Sequence, residues 1–467
     1  MFVAINLVAA TCARGQSQSP FVSTWQGALD VGQTKLRLVL KIFESGKDSL
    51  KASLDSPDQG ASDIPASGVR TTGDSVVVEF NSMLAKYEGV LQQDKNSLSG
   101  MWKQGGAVLP LTLARSSDVP KPRRPQNPVK PYPYVEEEIA YENKKGGVKL
   151  AGTFTKPATG GPFPAVVLIS GSGPQDRNET VFGHSPFLVL ADYLTRRGIA
   201  VLRVDDRGVG GSTGNVMLST SDDFSGDVLA GIAYLKQRND VQKKQIGLVG
   251  HSEGGIVAPM VAAKTTDVAF IVLMAGTGLP GDQILLLQTG LIMKAAGMND
   301  ESIEKAREHN NHVYGLVKSN KDSVLLSQRL GDYLMSSWSQ WGEQYEKQGI
   351  EKEKAIEALV RQVTTPWFRY FLTYDPRSAL QNVKCPVLAI NGELDVQVAA
   401  KENLSQIEAA LKKAGNKNVM VKELPGLNHL FQTSKTGSLN EYGSIEETIS
   451  PETLKIIGDW MELRSRR

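Results

Sequence analysis

Between residues 20 and 115, apolar positions alternate with polar ones in short runs, the period of a half-buried antiparallel strand. In residues 35–42, Leu36, Leu38, Leu40 and Ile42 occupy every second position, and similar runs follow at 51–54, 76–80, 86–91, 97–102 and 109–113. Turn-forming pieces separate them, such as Ser45-Gly46, Thr72-Gly73-Asp74, Asp94-Lys95-Asn96 and Gly105-Gly106. The pattern predicts a small antiparallel β domain over 20–115, a meander of six or seven strands, closed or nearly closed. It holds no histidine and no catalytic set. A structural or substrate-shielding role is expected for it ahead of lipid or glycan binding.

A proline-rich stretch follows, with Pro120, Pro122, Pro125, Pro128, Pro131 and Pro133. It reads as a stiff, extended linker over 116–133. After it the pattern changes. A hairpin is predicted from 138–142 and 148–155, and then wholly apolar runs alternate with amphipathic ones. The runs at 165–169, 199–204, 245–249, 270–274, 386–390 and 419–422 read as buried parallel strands. Helices are expected at 186–197, 222–238 and 451–463. Between 276 and 379 the alternation stops, and helical patterns at 284–293, 300–317 and 351–363 replace it. This segment carries Trp338, Trp341, Trp367, Phe368, Tyr370 and Phe371. It is too long for a structureless loop and predicts a helical cap over about 277–380.

One stretch organises the candidate chemistry. Residues 245–249 form an apolar strand that runs into Gly250-His251-Ser252-Glu253-Gly254 and then Ile256-Val257-Ala258, small and apolar. Strand, Gly-x-Ser-x-Gly and helix in that order are a nucleophile elbow, with Ser252 on a strained turn. A second match, Gly210-Gly211-Ser212-Thr213-Gly214, leads into a polar loop and is read as a loop. Serine needs a base, and the chain has 5 histidines. His184 precedes the elbow, His251 lies within it, and His309 and His312 fall in the expected cap. His429, beyond the last strand, remains as the base. The acid belongs in the loop after 386–390, which offers Glu393 and Asp395; Asp395 is preferred, to hold and orient the imidazole. Two backbone N–H groups should form the oxyanion hole, that of Glu253 after the nucleophile and that of Ser172 in Ser170-Gly171-Ser172-Gly173-Pro174.

These residues, with Asp205-Asp206-Arg207-Gly208-Val209-Gly210 after the next strand, make the chain resemble an α/β-hydrolase over about 134–467. It is most similar to exported bacterial esterases of the serine aminopeptidase and acyl-peptidase-like branch, which often carry a small N-terminal β domain. The resemblance implies a mostly parallel central sheet with helices on both faces and a helical cap insertion. It also implies acyl transfer through an acyl-serine. Ser170-Gly171 stands where more familiar families have His-Gly. The expected function is a serine hydrolase of carboxylic esters with short to medium acyl chains. The alternatives are a peptidase acting on short peptides, which would need carboxylates near the serine, and an idle binding protein for apolar ligands.

Composition narrows the partners. The formal net charge of +2 points away from nucleic acid, leaving a small-molecule ester as the expected substrate. Apolar runs are too short for a transmembrane helix. No cofactor or metal is expected. Glu308-His309-Asn310-Asn311-His312 lacks the His-Glu-x-x-His order of a zinc site, and Gly208-x-Gly210 lacks the third glycine of a dinucleotide loop. Arg207 is read as structural, tied to a nearby carboxylate. The first residues form an apolar run ending in Thr11-Cys12-Ala13-Arg14-Gly15, which reads as a leader over 1–19 and an exported protein.

Overall fold

The computed structural model describes residues 19–30, 35–45, 49–57, 61–83, 85–104, 107–116, 123–347 and 351–465. The leader expected over 1–19, apart from Ser19, and linker residues 117–122 lie outside the described residues. The chain divides into two compact units, parted at residues 120 and 121 except for a short piece at 57–61.

The first unit is one antiparallel sheet. Its strands are β1 (Ser23–Asp30), β2 (Lys35–Glu44), β3 (Leu50–Ser56), β4 (Ala61–Pro65), β5 (Gly68–Thr72), β6 (Ser75–Phe80), β7 (Ala85–Leu91), β8 (Ser97–Gln104) and β9 (Ala107–Ser116). Their spatial order is β4-β3-β2-β1-β9-β8-β7-β6-β5, so nine strands replace the six or seven expected. The strands without a counterpart in the pattern are β1, β4 and β5. The last two form the sheet's edges, where little apolar alternation is needed, and β5 reads Gly-Val-Arg-Thr-Thr with its last three residues exposed. In β1 the alternation is broken by Gly27, where a Cβ would lie 2.2 Å from the Thr112 carbonyl oxygen. Trp25, Phe80, Tyr87 and Trp102 fill the core. The Tyr87 hydroxyl is satisfied by the Leu98 and Leu111 carbonyls at 3.0 and 3.2 Å.

The second unit is built on β10 (Tyr134–Asn143), β11 (Val148–Pro157), β12 (Phe163–Ile169), β13 (Ala200–Val204), β14 (Val241–His251), β15 (Phe270–Met274), β16 (Val387–Gly392) and β17 (Val419–Leu424). The order is β10-β11-β13-β12-β14-β15-β16-β17. The hairpin β10–β11 joins antiparallel, and every pair from β13 to β17 is parallel. All five residues of β15 are buried, as a strand covered on both faces requires.

Helices α1 (Pro186–Arg196), α2 (Ser221–Gln237) and α3 (Gly254–Lys264) follow β12, β13 and β14. A capping box starts α2, in which Thr220 and Asp223 satisfy each other's backbone N–H. Between β15 and β16 lie α4 (Gly281–Ala295), α5 (Asp300–Ser319), α6 (Ser323–Ser336), α7 (Trp338–Trp341), α8 (Glu343–Lys347), α9 (Lys352–Val363), α10 (Pro366–Thr373) and α11 (Arg377–Leu380). The pattern had shown three of these. They pack around their own core, with Leu326, Leu330, Leu334, Trp338 and Phe368 buried. The chain ends with α12 (Ala400–Lys413), α13 (Leu439–Tyr442) and α14 (Pro451–Ser465). Two apolar layers, one on each face of the sheet, hold the unit together. No helix among the described residues is long and apolar enough to cross a membrane.

Candidate active site

The expected residues all lie in loops that leave the carboxyl ends of β12, β13, β14, β16 and β17, where open α/β sheets place their ligands. Ser252 follows β14 with φ of 53°, a left-handed conformation that costs energy in any residue but glycine. Backbone bonds hold the turn at Ser252 itself. Ser252 N–H donates to the Met274 carbonyl and Gly255 N–H to the Ser252 carbonyl, each at 2.9 Å. A Cβ on Gly250 would lie 2.0 Å from the Gly254 carbonyl oxygen, and one on Gly254 would lie 2.1 Å from that of Ile169. The elbow therefore admits only glycine at both places.

Asp395 and His429 are brought together. The His429 Nδ1 lies 2.8 Å from Asp395 Oδ2, and both side chains are buried. The other carboxylate oxygen accepts the Gln397 and Val398 N–H groups, each at 2.8 Å. Asp395 is thus fixed in position by three donors, which in turn fixes the imidazole. Glu393, the alternative acid, turns away and accepts the Gly426 N–H at 3.0 Å. Among the described residues no hydrogen bond joins Ser252 Oγ to the His429 ring; the two loops meet through the neighbouring His251.

The Glu253 N–H lies at the start of α3, and Ser172 stands in the 170–174 loop. Among the described residues neither backbone N–H is taken up by another protein group. A Cβ on Gly171, next to Ser172, would come 3.2 Å from the Ser252 Cβ, so the loop lies against Ser252.

A second layer of polar groups, absent from the sequence reading, holds these loops. Glu179 is buried, and its Oε1 accepts both the Gly171 N–H at 2.7 Å and the His251 Nδ1–H at 2.9 Å. His251 Nε2 lies 3.1 Å from the His429 carbonyl oxygen. One carboxylate and one imidazole therefore tie the oxyanion loop, the elbow and the His429 loop together. Both His251 partners are acceptors, so the ring is suited to carry two protons. Burial is the largest single influence and works against that charge, but the Glu179 carboxylate, the His429 carbonyl and the Asp395 charge together outweigh it and raise the His251 pKa.

Asp206, after β13, grips both ends of the oxyanion loop. It accepts the Ser170 hydroxyl at 2.9 Å and the Gln175 N–H at 3.0 Å. Burial pushes its pKa up to about 7, with the Glu253 and Glu179 carboxylates adding to the rise. The folded state thus holds this proton to a higher pH than the unfolded chain, in which an aspartate titrates near about 3.9. Stability from this group is full at low pH and is lost as the pH climbs to about 7. His251, also raised, acts in the same direction. Asp206→Asn is expected to flatten the fall in melting temperature between about pH 4 and 7. Thermal melts of both proteins across that range check it, and an unchanged slope would refute the assignment.

The Glu253 side chain points away from the oxyanion position. It accepts the Ser221 hydroxyl at 2.6 Å and the Trp367 indole N–H at 2.9 Å to each oxygen, and burial raises its pKa. The Trp367 bonds anchor α10 of the helical segment to the residue beside Ser252.

The remaining sequence candidates have structural roles. Ser212 donates to the Asp205 carbonyl at 2.8 Å and accepts the Ala151 N–H at 2.9 Å, inside a loop. Arg207 pairs with Asp227 at 2.6 Å, the carboxylate tie expected for it. Buried His184 bonds the Thr448 hydroxyl and the Tyr442 carbonyl, and burial pushes its pKa down to about 4. His309 and His312 stack on Tyr333 in the helical segment, with ring centroids 5.4 and 4.0 Å away.

Sheet order, elbow and loop placement define an α/β-hydrolase fold, preceded by an antiparallel β unit. Residues 146–424, more than half of the chain, match the family described as X-Pro dipeptidyl-peptidase (S15 family). The chain belongs to that family. It is similar to Esterase EstD of Thermotoga maritima, with 27% identity over 300 residues, covering 64% of this chain and 62% of that protein. It is also 35% identical over 140 residues to the putative hydrolase YtaP of Bacillus subtilis, covering 25% of this chain and 45% of that one. The chain thus spans less than two thirds of the length of the curated relatives it matches. Among solved structures, an esterase of Pyrococcus furiosus aligns with a TM-score of 0.41, 18% identity and coverage of 71% and 91%. Est1E of Butyrivibrio proteoclasticus, with ferulic acid bound, aligns at 0.40, 15% identity and coverage of 70% and 100%.

Proposed function

We propose that the chain is a serine hydrolase that cleaves carboxylic esters with short to medium acyl chains. The observation that carries this reading is the Asp395–His429 pair, 2.8 Å apart, in a loop tied through His251 to the elbow on which Ser252 has φ 53°. In the proposed cycle His429 Nε2 takes the Ser252 proton as Oγ attacks the ester carbonyl. The tetrahedral oxyanion is held by the N–H groups of Glu253 and Ser172, and Asp395 stabilises the imidazolium. His429 then gives the proton to the departing alcohol, and water attacks the acyl-serine with the same base assistance.

The family's name favours a second reading, a peptidase releasing residues from the amino end of short peptides. Such a substrate presents an ammonium group, which needs an open carboxylate near the serine. Glu253 does not offer one, because Ser221 and Trp367 occupy its oxygens. The likeness to Esterase EstD points the same way. The expected result is turnover of p-nitrophenyl acyl esters with little release from aminoacyl-prolyl nitroanilides. Kinetics on both panels check it. Dominant anilide turnover would replace the ester reading with the peptidase one.

A further inference from the structure

A cavity of about 280 Å³ opens beside the oxyanion loop, close to the lower end of the range of roughly 300–1,000 Å³ usual for small-molecule sites. Ser172 and Gly173 line it, and Val216 and Met217 come from the short Val216–Leu218 turn. Gln362, Thr365 and Trp367 come from the end of α9 and the start of α10. Among the described residues no charged side chain lines it.

Its two apolar walls differ in stiffness. Trp367 is fixed, with its indole N–H on the Glu253 carboxylate and its ring stacked on Phe371, centroids 5.2 Å apart. Met217 also lines the cavity, 56% exposed although apolar, on a turn pinned by its N–H to Asn215 Oδ1 at 2.9 Å. A thioether with three rotatable bonds adapts to occupants of different shape. Thr365 is already spent, capping the Phe368 N–H at 3.2 Å. What remains is a pocket for an uncharged apolar group whose attached carbonyl would reach the Ser172 N–H.

The lining also selects which half of the substrate enters. A leaving alcohol must depart toward His429, which protonates it, whereas the acyl group stays on Ser252 with its oxygen at Ser172 and Glu253. The cavity borders Ser172 and takes no residue from the His429 loop. We propose that this cavity is the acyl subsite, taking a neutral aliphatic chain between Trp367 and Met217, with Met217 setting the chain length. The proposal rests on the serine hydrolase reading above.

Met217→Trp and Met217→Ala test it, since a half-exposed side chain can change without loss of the fold, as a thermal melt verifies. Met217→Trp is expected to lower kcat/KM for p-nitrophenyl octanoate about tenfold or more while acetate changes less than about twofold. Met217→Ala should shift the optimum toward longer acyl chains. Equal effects on acetate and octanoate would overturn the proposal. So would a shift that follows the alcohol in a series of alkyl acetates. If the wild type hydrolyses no ester, that reading fails separately, and the subsite is read by p-nitrophenyl methyl- and hexylphosphonates. These need no deacylation: Ser252 Oγ bonds to phosphorus, p-nitrophenolate leaves, and the serine proton passes to His429. Selective slowing of the hexyl reagent in Met217→Trp supports the subsite; unchanged rates refute it.

Discussion

Replacing Ser252 with alanine is expected to lower kcat by about 10⁴–10⁶-fold, with the folded state retained. The size of the loss follows from the chemistry. Without Oγ no acyl-enzyme can form, and only substrate binding and the two N–H donors remain to assist attack by water. Retention of the fold follows from the geometry. The elbow is held by backbone bonds to Met274 and Gly255, and its tightness is set by Gly250 and Gly254. Alanine at φ 53° bears the same kind of strain that serine already bears. The measurement is kcat beside a thermal melt. A variant that keeps a tenth of wild-type turnover would remove Ser252 from the mechanism.

Asp395→Asn is expected to cost about 10³–10⁴ in kcat, with KM changing far less. The asparagine carbonyl can still accept the Gln397 and Val398 N–H groups, so the loop should keep its shape. Its amide nitrogen would then face His429 Nδ1, where a carboxylate oxygen now lies at 2.8 Å. That donor forces the proton onto Nε2, and a protonated Nε2 cannot take the serine proton. The imidazolium also loses its counter-charge. Steady-state kinetics of the variant check this, and near-normal kcat would shift the acid role elsewhere in the loop.

The proposed reacting groups stand out in the sequence because each is tied to a local signal. Ser252 lies in a strand-turn-helix pattern, and His429 is the one histidine beyond the last strand. Asp395 follows a buried apolar run. The groups that hold them were not legible. Glu179 reaches Gly171 and His251, and the latter lies 72 residues away in the chain. Trp367 reaches Glu253 across 114 residues. No periodicity or spacing encodes such contacts, because they exist only once the sheet order has brought the loops together. Asp206 was visible as part of a motif, yet its grip on residues 170 and 175 depends on β13 lying beside β12. The strands missed in the first unit failed for the opposite reason. Edge positions such as β5 bury too little to impose alternation.

The placement of the helical segment bears on how this architecture can diversify. It is spliced between β15 and β16, strands that pair directly, Ile271 opposite Val387. The entropy of closing that long connection rises only with the logarithm of its length, about 0.6 kcal/mol for each doubling. Helices can therefore be gained, lost or exchanged there with little penalty to the sheet beneath. The tie from Trp367 to Glu253, with the packing of Ile284 and Phe371 on Ile256 and Met260, is what an exchanged segment must rebuild. Under the proposed function, new substrate preferences can arise by exchange of one inserted segment while the sheet and its loops stay unchanged.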